Sequence, residues 1–252
     1  MTACSFDQLV ETDAKAPTLI EGLPGHGLVA SITVEQIAQQ LELEPYGGIR
    51  SEEVPPVLSF TDGLVHDTIR VKSGRPPGAD HDVLTLHGDI LLPEESHRPF
   101  SQCVLNDLAD RIERGIFLAA APAKTEEEHG KILGVATDED IKAELLDAGI
   151  DLAEGDGLVG GITGALVDAC YHQSVPAALL LVRADPYVPD PEAAQLVIDH
   201  ALEPLVDFEV DTDELLEQAK QIQARKAQIA EQLQHADEGE KPDSASVAGM
   251  FQ

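Results

Sequence analysis

The stretch TLIEGLPGHGLVA, residues 18–30, joins a short apolar run directly to a glycine-rich turn. Residues 18–23 predict a strand, because a short apolar run bounded by Gly and Pro is typical of a strand buried on both faces. The apolar pattern that follows predicts a helix near Leu28–Leu41. The stretch is therefore a strand–turn–helix unit, which is the building block of largely parallel sheets.

The same alternation of strand and helix continues along the chain. Further buried strands are predicted at residues 82–89, 115–121, 131–137 and 176–185. Helices are predicted at residues 96–114, 138–146, 166–173 and 191–205. This order predicts an α/β fold, a three-layer α/β/α sandwich with a mostly parallel sheet. A hairpin at Asp62-Gly63, within residues 56–72, is expected to make that sheet mixed.

Three segments are predicted: a globular domain over residues 1–210, an amphipathic helix over 211–235 and a flexible acidic tail over 236–252. Asp211 and Glu214 have the spacing of a capping box, which marks a helix start. The helix presents a weak apolar seam with a heptad-like spacing. Its members are Leu215, Ala219, Ile222, Lys226, Ile229 and Leu233. This seam fits either docking on the helix's own domain or packing against another subunit.

The charge balance limits the possible partners. The chain has 47 Asp and Glu against 16 Lys and Arg, a formal net charge of −31. Such a surface repels phosphate backbones and anionic lipids, so neither nucleic acid nor a membrane is expected as a partner. Acidic residues spread over the whole chain favour a halophilic protein. Their mutual repulsion would destabilise a compact fold in dilute buffer, whereas salt near 1 M screens charges within about 3 Å. An acidic protein of ordinary cytosol is the alternative.

The cysteines show no pairing motif, and the N-terminus together with the lengths of the apolar runs indicates a cytoplasmic protein. Cys4, Cys103 and Cys170 lie far apart without a CxxC pair, so neither a disulfide framework nor a zinc ribbon is predicted. The first residues lack a basic start followed by an apolar run, and no apolar run is long enough to span a bilayer.

Two glycine-rich turns precede predicted helices and are candidate ligand loops. They comprise Gly22, Pro24, Gly25, His26 and Gly27, and Gly160, Gly161 and Gly164. Free backbone N–H groups at a helix N-terminus favour anions. Neither turn has the spacing of a dinucleotide fingerprint or a P-loop. Tight structural turns are therefore the first interpretation, and ligand loops are the second.

No catalytic constellation is visible in the sequence. The stretch HGDILLPEESH, residues 87–97, is rich in His, Asp and Glu but lacks the spacing that places two metal ligands on one helix face. No Gly-x-Ser-x-Gly motif is present. Neither a metal nor a cofactor is therefore predicted.

Several segments in a fixed order resemble the archaeal branch of the proteasome assembly chaperone 2 family. They are LIEGLPGHGLVA, VPPVLSFTDGLV, DVLTLHGD, ILGVATDEDI, GDGLVGGITGAL, VPAALLLV and YVPDPEAA, within about residues 16–210. The resemblance implies a phosphorylase- or hydrolase-like α/β/α domain and homo-oligomerisation. It also implies binding to α-subunits of the 20S proteasome without nucleotide hydrolysis.

The last three residues fit this resemblance. Proteasome activators and assembly chaperones commonly end in a hydrophobic residue, a tyrosine and any third residue, and this chain ends in Met250-Phe251-Gln252. By that resemblance Met250 packs in an apolar crevice, Phe251 stacks in a pocket between α-subunits and the Gln252 carboxylate pairs with a lysine. Phe251 lacks the hydroxyl of the usual tyrosine.

Two hypotheses follow from the sequence. The first is a non-enzymatic proteasome-binding chaperone or activator that docks its tail on the α-ring. The alternative is a protein or enzyme that binds a nucleoside or phosphorylated metabolite at the two glycine loops, where open α/β sheets usually bind ligands.

Overall fold

The computed structural model describes residues 4–10, 16–52 and 54–222. The strands are β1 Cys4–Gln8, β2 Thr18–Gly22, β3 Glu44–Ser51, β4 Ser59–Thr61, β5 Leu64–His66, β6 Ile69–Gly74, β7 Val83–Gly88, β8 Arg114–Pro122, β9 Ile132–Ala136 and β10 Ala177–Ala184. The helices are α1 Val29–Gln40, α2 Glu94–Leu108, α3 Glu139–Asp147, α4 Gly161–Gln173, α5 Pro191–Val197 and α6, residues 213–222.

Eight of the strands form one mixed sheet in the order β1-β3-β6-β7-β2-β8-β10-β9. The four strands β7, β2, β8 and β10 run parallel at its centre, and the remaining pairings are antiparallel. The predicted α/β/α sandwich with a mixed sheet is confirmed. Its parallel part is smaller than predicted, because β1, β3 and β6 form an antiparallel extension on one side and β9 adds an antiparallel edge on the other.

The predicted hairpin at Asp62-Gly63 exists, but it lies outside the main sheet. Strands β4 and β5 pair only with each other and form a separate two-stranded sheet in the described part of the chain. Strand β6 follows directly and pairs with β7 and β3. The antiparallel character therefore comes from β1, β3, β6 and β9 and not from the hairpin.

Alternate residues of the central strands face two separate hydrophobic cores. Leu19, Phe117 and Leu179 face α2 and α4, while their neighbours Ile20 and Ile116 face α1, α3 and α5. This period-two pattern shows that the central strands are covered on both sides, which explains their nearly continuous apolar sequences. Burying each large apolar side chain contributes about 1.5–3 kcal/mol.

The four parallel strands all end at one edge of the sheet, here called the carboxyl edge. The strand register places Ile69, the first residue of β6, opposite Gly88, the last residue of β7. Strand β3 ends beside the start of β6. The β4–β5 hairpin, which connects β3 to β6, therefore also lies at the carboxyl edge.

A disulfide joins Cys4 of β1 to Cys103 of α2. This corrects the prediction that no disulfide links the cysteines. The two residues are 99 apart in sequence, but β1 packs against α2 and their Cα atoms lie 5.9 Å apart. Sequence spacing could not show this proximity, because β1 pairs with β3, which is distant in sequence, and contacts α2 in that position. Cys170 is a buried free thiol.

The C-terminal helix docks on its own domain over its described length. Leu215 and Ala219 are buried, and Leu215 belongs to the core that α1 and α5 form. The Gln36 side-chain amide donates to the Asp211 carbonyl at 2.6 Å. Of the two interpretations of the apolar seam, the described residues thus show docking within the chain. Lys226, Ile229 and Leu233, and the predicted tail 236–252, lie outside the described residues.

Candidate functional site

A cleft of about 780 Å³ opens at the carboxyl edge, where β8 and β10 end beside the start of α4. Its floor is apolar and includes Ala119, Leu133 and Leu181. Both predicted glycine loops reach it. The cleft-lining members of those loops are Pro24, Gly25, His26, Gly160 and Gly161.

The glycines at the cleft leave open space. A Cβ atom added at Gly25, Gly160 or Gly161 would meet nothing within 4 Å. Gly161 has a φ of +73°, which favours glycine for backbone reasons alone. Close packing against other side chains of the fold therefore does not explain why these three positions are glycine.

The other three loop glycines have packing roles. A Cβ atom at Gly22 would collide with the Val34 side chain, and one at Gly164 would collide with the Val159 carbonyl. Gly27 has a φ of +60°, and its Cβ atom would lie 2.8 Å from the Asp185 carbonyl oxygen. For these three positions the first interpretation, a tight structural turn, accounts for the glycine.

Gly27 also connects two of the segments on which the family resemblance rests. The Asp190 backbone N–H donates to the Gly27 carbonyl at 2.8 Å, so the YVPDP segment is attached to the GLPGHG loop. The Asp190 carboxylate accepts from the backbone N–H groups of Asp185 at 2.7 Å and Ala193 at 3.0 Å, and lies 2.7 Å from His129 Nε2. Burial alone would raise the pKa of Asp190, but these hydrogen bonds hold its pKa below the ordinary value.

Glu21, which no sequence motif singled out, is a carboxyl group buried directly beneath the cleft. Its oxygens accept from Leu23 N at 2.8 Å, Leu118 N at 3.4 Å and Thr163 Oγ1 at 3.3 Å. Leu118 and Thr163 both line the cleft. Burial raises the pKa of Glu21 to about 7, although the three hydrogen bonds oppose this rise. An acid inside the apolar run TLIEGL was the available signal.

The segment rich in His, Asp and Glu does not form one site. His87 lies on the α1 side of the sheet, with its Nε2 2.7 Å from Thr85 Oγ1, whereas His97 lines the cleft and contacts the Leu92 carbonyl at 3.0 Å. Within the described ranges, no group of three or more His, Cys, Asp or Glu side chains is placed to hold a metal ion.

Two groups of exposed large apolar side chains lie along the carboxyl edge. Leu91, Leu158 and Val159 line the cleft and form what we call the cleft rim. The second group, here the hairpin surface, comprises Val57, Leu58, Phe60, Leu64 and Val65. Exposed apolar groups of this kind mark protein–protein or membrane interaction sites or ligand-binding grooves. This edge is therefore suited to contact a binding partner.

The remaining predicted site residues, Met250, Phe251 and Gln252, lie outside the described residues.

None of the described helices is long and apolar enough to cross a membrane.

The model of the PAC2 family matches residues 19–230, which is most of the chain. The chain belongs to the PAC2 family. A curated relative, an uncharacterized protein of Methanocaldococcus jannaschii, is 22% identical over 227 residues, covering 90% of this chain and 91% of that protein. The family assignment and the sequence resemblance agree.

Solved structures with the same PAC2 fold include two proteins of Pyrococcus furiosus. PbaA, described as an archaeal homolog of proteasome-assembly chaperone, aligns with a TM-score of 0.79 at 23% identity, covering 94% of this chain and 95% of PbaA. PbaB, described as an archaeal proteasome activator, aligns with a TM-score of 0.78 at 21% identity, covering 91% of this chain and 100% of PbaB. This PAC2 chain therefore shares their fold over nearly its whole length.

Proposed function

We propose that this PAC2 protein is a non-enzymatic, ATP-independent chaperone or activator that binds the 20S proteasome in the cytoplasm. The observation that supports this proposal most directly is the fold shared with PbaA and PbaB over more than nine-tenths of the chain. The exposed apolar groups at the carboxyl edge also favour a role in binding another protein.

The proposed point of contact is the C-terminal tripeptide. Met250 and Phe251 would fill apolar pockets between adjacent α-subunits, and the Gln252 carboxylate would pair with a lysine there. The acidic residues 236–249 would act as a solvated linker that delivers the tripeptide. A single tripeptide binds weakly, so we propose a homo-oligomer whose several tails engage one ring and gain affinity through effective concentration.

The test is a capture experiment with 20S α-subunits of the source organism, at molar salt because we also propose a halophilic, haloarchaeal-type protein. The full chain should retain α-subunits, and a chain lacking residues 250–252 should lose at least tenfold in affinity. The Phe251→Tyr variant restores the hydroxyl of the usual motif. It should bind roughly two- to tenfold more tightly, because a typical hydrogen bond contributes about 0.5–1.5 kcal/mol.

The matched control replaces residues 244–246 of the linker by glycine, which leaves the tripeptide intact and should leave capture unchanged. Capture that survives deletion of residues 250–252 would contradict the tail contact while retaining a proteasome partner. No capture by any form of the chain would contradict the proposed function itself.

A further inference from the structure

The hairpin surface and the cleft rim are two apolar areas that the described part of the chain leaves uncovered. Leu64 of the hairpin surface is 76% exposed and Leu158 of the cleft rim is fully exposed. The hairpin surface places five large apolar side chains within nine residues of sequence. Exposure on this scale costs free energy in water, so both areas gain from contact with another apolar surface.

The hairpin in particular lacks support from its own subunit. Each of its strands has three residues, and the two strands form a sheet separate from the main one. Its side-chain links to the body include a 3.4 Å hydrogen bond from Ser59 Oγ to Thr68 Oγ1 and a 3.7 Å contact of His66 with Asp89. A two-stranded hairpin is only marginally stable by itself in water. Packing its apolar side chains against a second surface would stabilise it.

Charge favours a second copy of this chain as the occupant of the cleft. Two copies with a net charge of −31 repel each other, so they approach most easily where acidic residues are fewest. Residues 54–66 contain one acidic residue, Asp62 at the hairpin turn. Arg183 is the one Lys or Arg among the described residues that line the cleft. The lining of the cleft also includes one acidic residue, Glu94. The hairpin tip and the cleft are thus largely apolar surfaces with few acidic residues, and Arg183 is a cation in the cleft with which Asp62 can pair.

The positions of the two surfaces allow reciprocal contact. Both lie at the carboxyl edge, and β6, next to the hairpin, is three strand positions from β8, at the cleft. At about 4.8 Å between strands, that separation is roughly 14 Å. A two-fold axis near this edge would therefore bring each hairpin to the cleft of the other copy. A cleft of about 780 Å³ has room for several large side chains.

We propose that the hairpin surface of one copy packs into the carboxyl-edge cleft of a second copy, with Asp62 facing Arg183 of that copy. The proposal rests on the homo-oligomer of the proposed function and names the surfaces that form it. It does not involve the C-terminal tripeptide, so the two contacts can be tested separately.

The experiment measures the mass of the full chain in molar salt by size-exclusion chromatography with light scattering, over a range of protein concentrations. Leu64→Glu places a charge in the hairpin surface, and Leu158→Glu places one in the cleft rim. Each should weaken self-association at least tenfold, because a carboxylate would be buried in an apolar contact. Leu146→Glu is the matched control. It makes the same change at an exposed leucine of α3 outside both surfaces, and should associate like the wild type.

Mixing the two variants separates this contact from other modes of association. The Leu158→Glu chain retains a normal hairpin, and the Leu64→Glu chain retains a normal cleft, so the mixture keeps one intact contact. Affinity capture of a tagged Leu158→Glu chain should therefore recover the Leu64→Glu chain, although neither variant associates with itself. Circular dichroism spectra that match the wild type would verify that all variants fold.

Three results would overturn the proposal. If Leu64→Glu or Leu158→Glu self-associates like the wild type, the hairpin–cleft contact is wrong while the homo-oligomer stands. If both variants dissociate and mixing recovers nothing, each surface contacts its own equivalent instead. A monomeric wild-type chain would refute both the homo-oligomer and this contact, whereas the capture of α-subunits would still test the proteasome partner independently.

Discussion

A glutamate lies on each face of the central sheet, and the pKa values of the two glutamates shift in opposite directions. On the α2/α4 face, Glu21 is fully buried, its described hydrogen-bond donors are uncharged, and burial raises its pKa to about 7. On the α1 face, the Glu35 side chain is 44% exposed. A hydrogen bond with His87, assisted by Gln39 and the charge of Lys72, lowers the pKa of Glu35 to about 2.

The difference between the two glutamates comes from their partners. His87 is buried, and this burial lowers its pKa, so the ring is neutral at pH 7. A neutral ring that donates from Nδ1 to Glu35 must accept at Nε2 from the Thr85 hydroxyl, 2.7 Å away. Lys72 Nζ lies 3.7 Å from Glu35 as well. The same side chain thus loses its proton at low pH where cations and solvent reach it, and retains its proton to a higher pH where they do not.

The largest expected effect tests the covalent link on the α2/α4 face. Replacing Cys4 by Ser, or reducing the disulfide, should lower the free energy of unfolding by about 2–4 kcal/mol, because the link closes a long loop in the unfolded chain. Denaturant titration of the wild type with and without reductant measures this difference.

The Cys4→Ser variant is the control for the reductant. Its unfolding midpoint should not change when reductant is added, because its remaining cysteines form no disulfide with each other in the fold. A wild-type protein whose stability is the same in both conditions would contradict the prediction. In that case the non-covalent contacts of β1, such as the hydrogen bond from Phe6 N to Asp107, would suffice to hold the edge strand.

The second prediction concerns the pH dependence that Glu21 imposes. Its pKa is raised from 4.5 to about 7 in the folded state, so the folded protein retains this proton after the unfolded chain has released it. The contribution of Glu21 to stability is therefore complete below pH 4.5 and declines as the pH rises towards 7. A shift of this size corresponds to about 3 kcal/mol.

Glu21→Gln is the variant that isolates this effect, because it retains an acceptor oxygen and cannot ionise. The difference in unfolding free energy between wild type and variant should move by about 3 kcal/mol in favour of the variant between pH 4.5 and pH 8. Denaturant titrations at several pH values measure it. A difference that stays constant with pH would show that Glu21 is already ionised in the folded state and would remove the contrast between the two faces.

Local patterns predicted most elements of the fold but not the contacts between them. The strands that contain residues 18–22, 116–121 and 177–184 have continuous apolar sequences, and those sequences indicate burial on both faces. Strand β1 was missed, because its half-exposed residues alternate weakly and its partner β3 lies about forty residues away. The proximity of Cys4 to Cys103 depends on that pairing and was missed with it.

The sequence likewise predicted the loops of the candidate site but not the roles of their individual residues. Glycine spacing located the two loops, and the carboxyl-edge rule for open α/β sheets predicted that they would meet. Sequence could not separate Gly27, which the approach of Asp185 and Asp190 requires, from Gly25, which faces open space. It also gave no indication that the hairpin stands apart from the sheet, because strand pairing is decided by residues distant in sequence.

The smallest expected effect concerns Glu35, the partly exposed glutamate on the α1 face. Glu35→Gln should cost about 1 kcal/mol or less at pH 7, since the side chain is partly exposed and its interactions are screened by solvent. The pKa of Glu35 is lowered, so its contribution is present above pH 4.5 and disappears as the pH falls towards 2, the reverse of Glu21.

Denaturant titrations of the wild type and the Glu35→Gln variant in low and molar salt measure the cost. A cost that persists in molar salt would assign it to the hydrogen bond with the neutral His87, whereas one that vanishes would assign it to Lys72, whose attraction salt screens. A cost that grows in acid would contradict the lowered pKa.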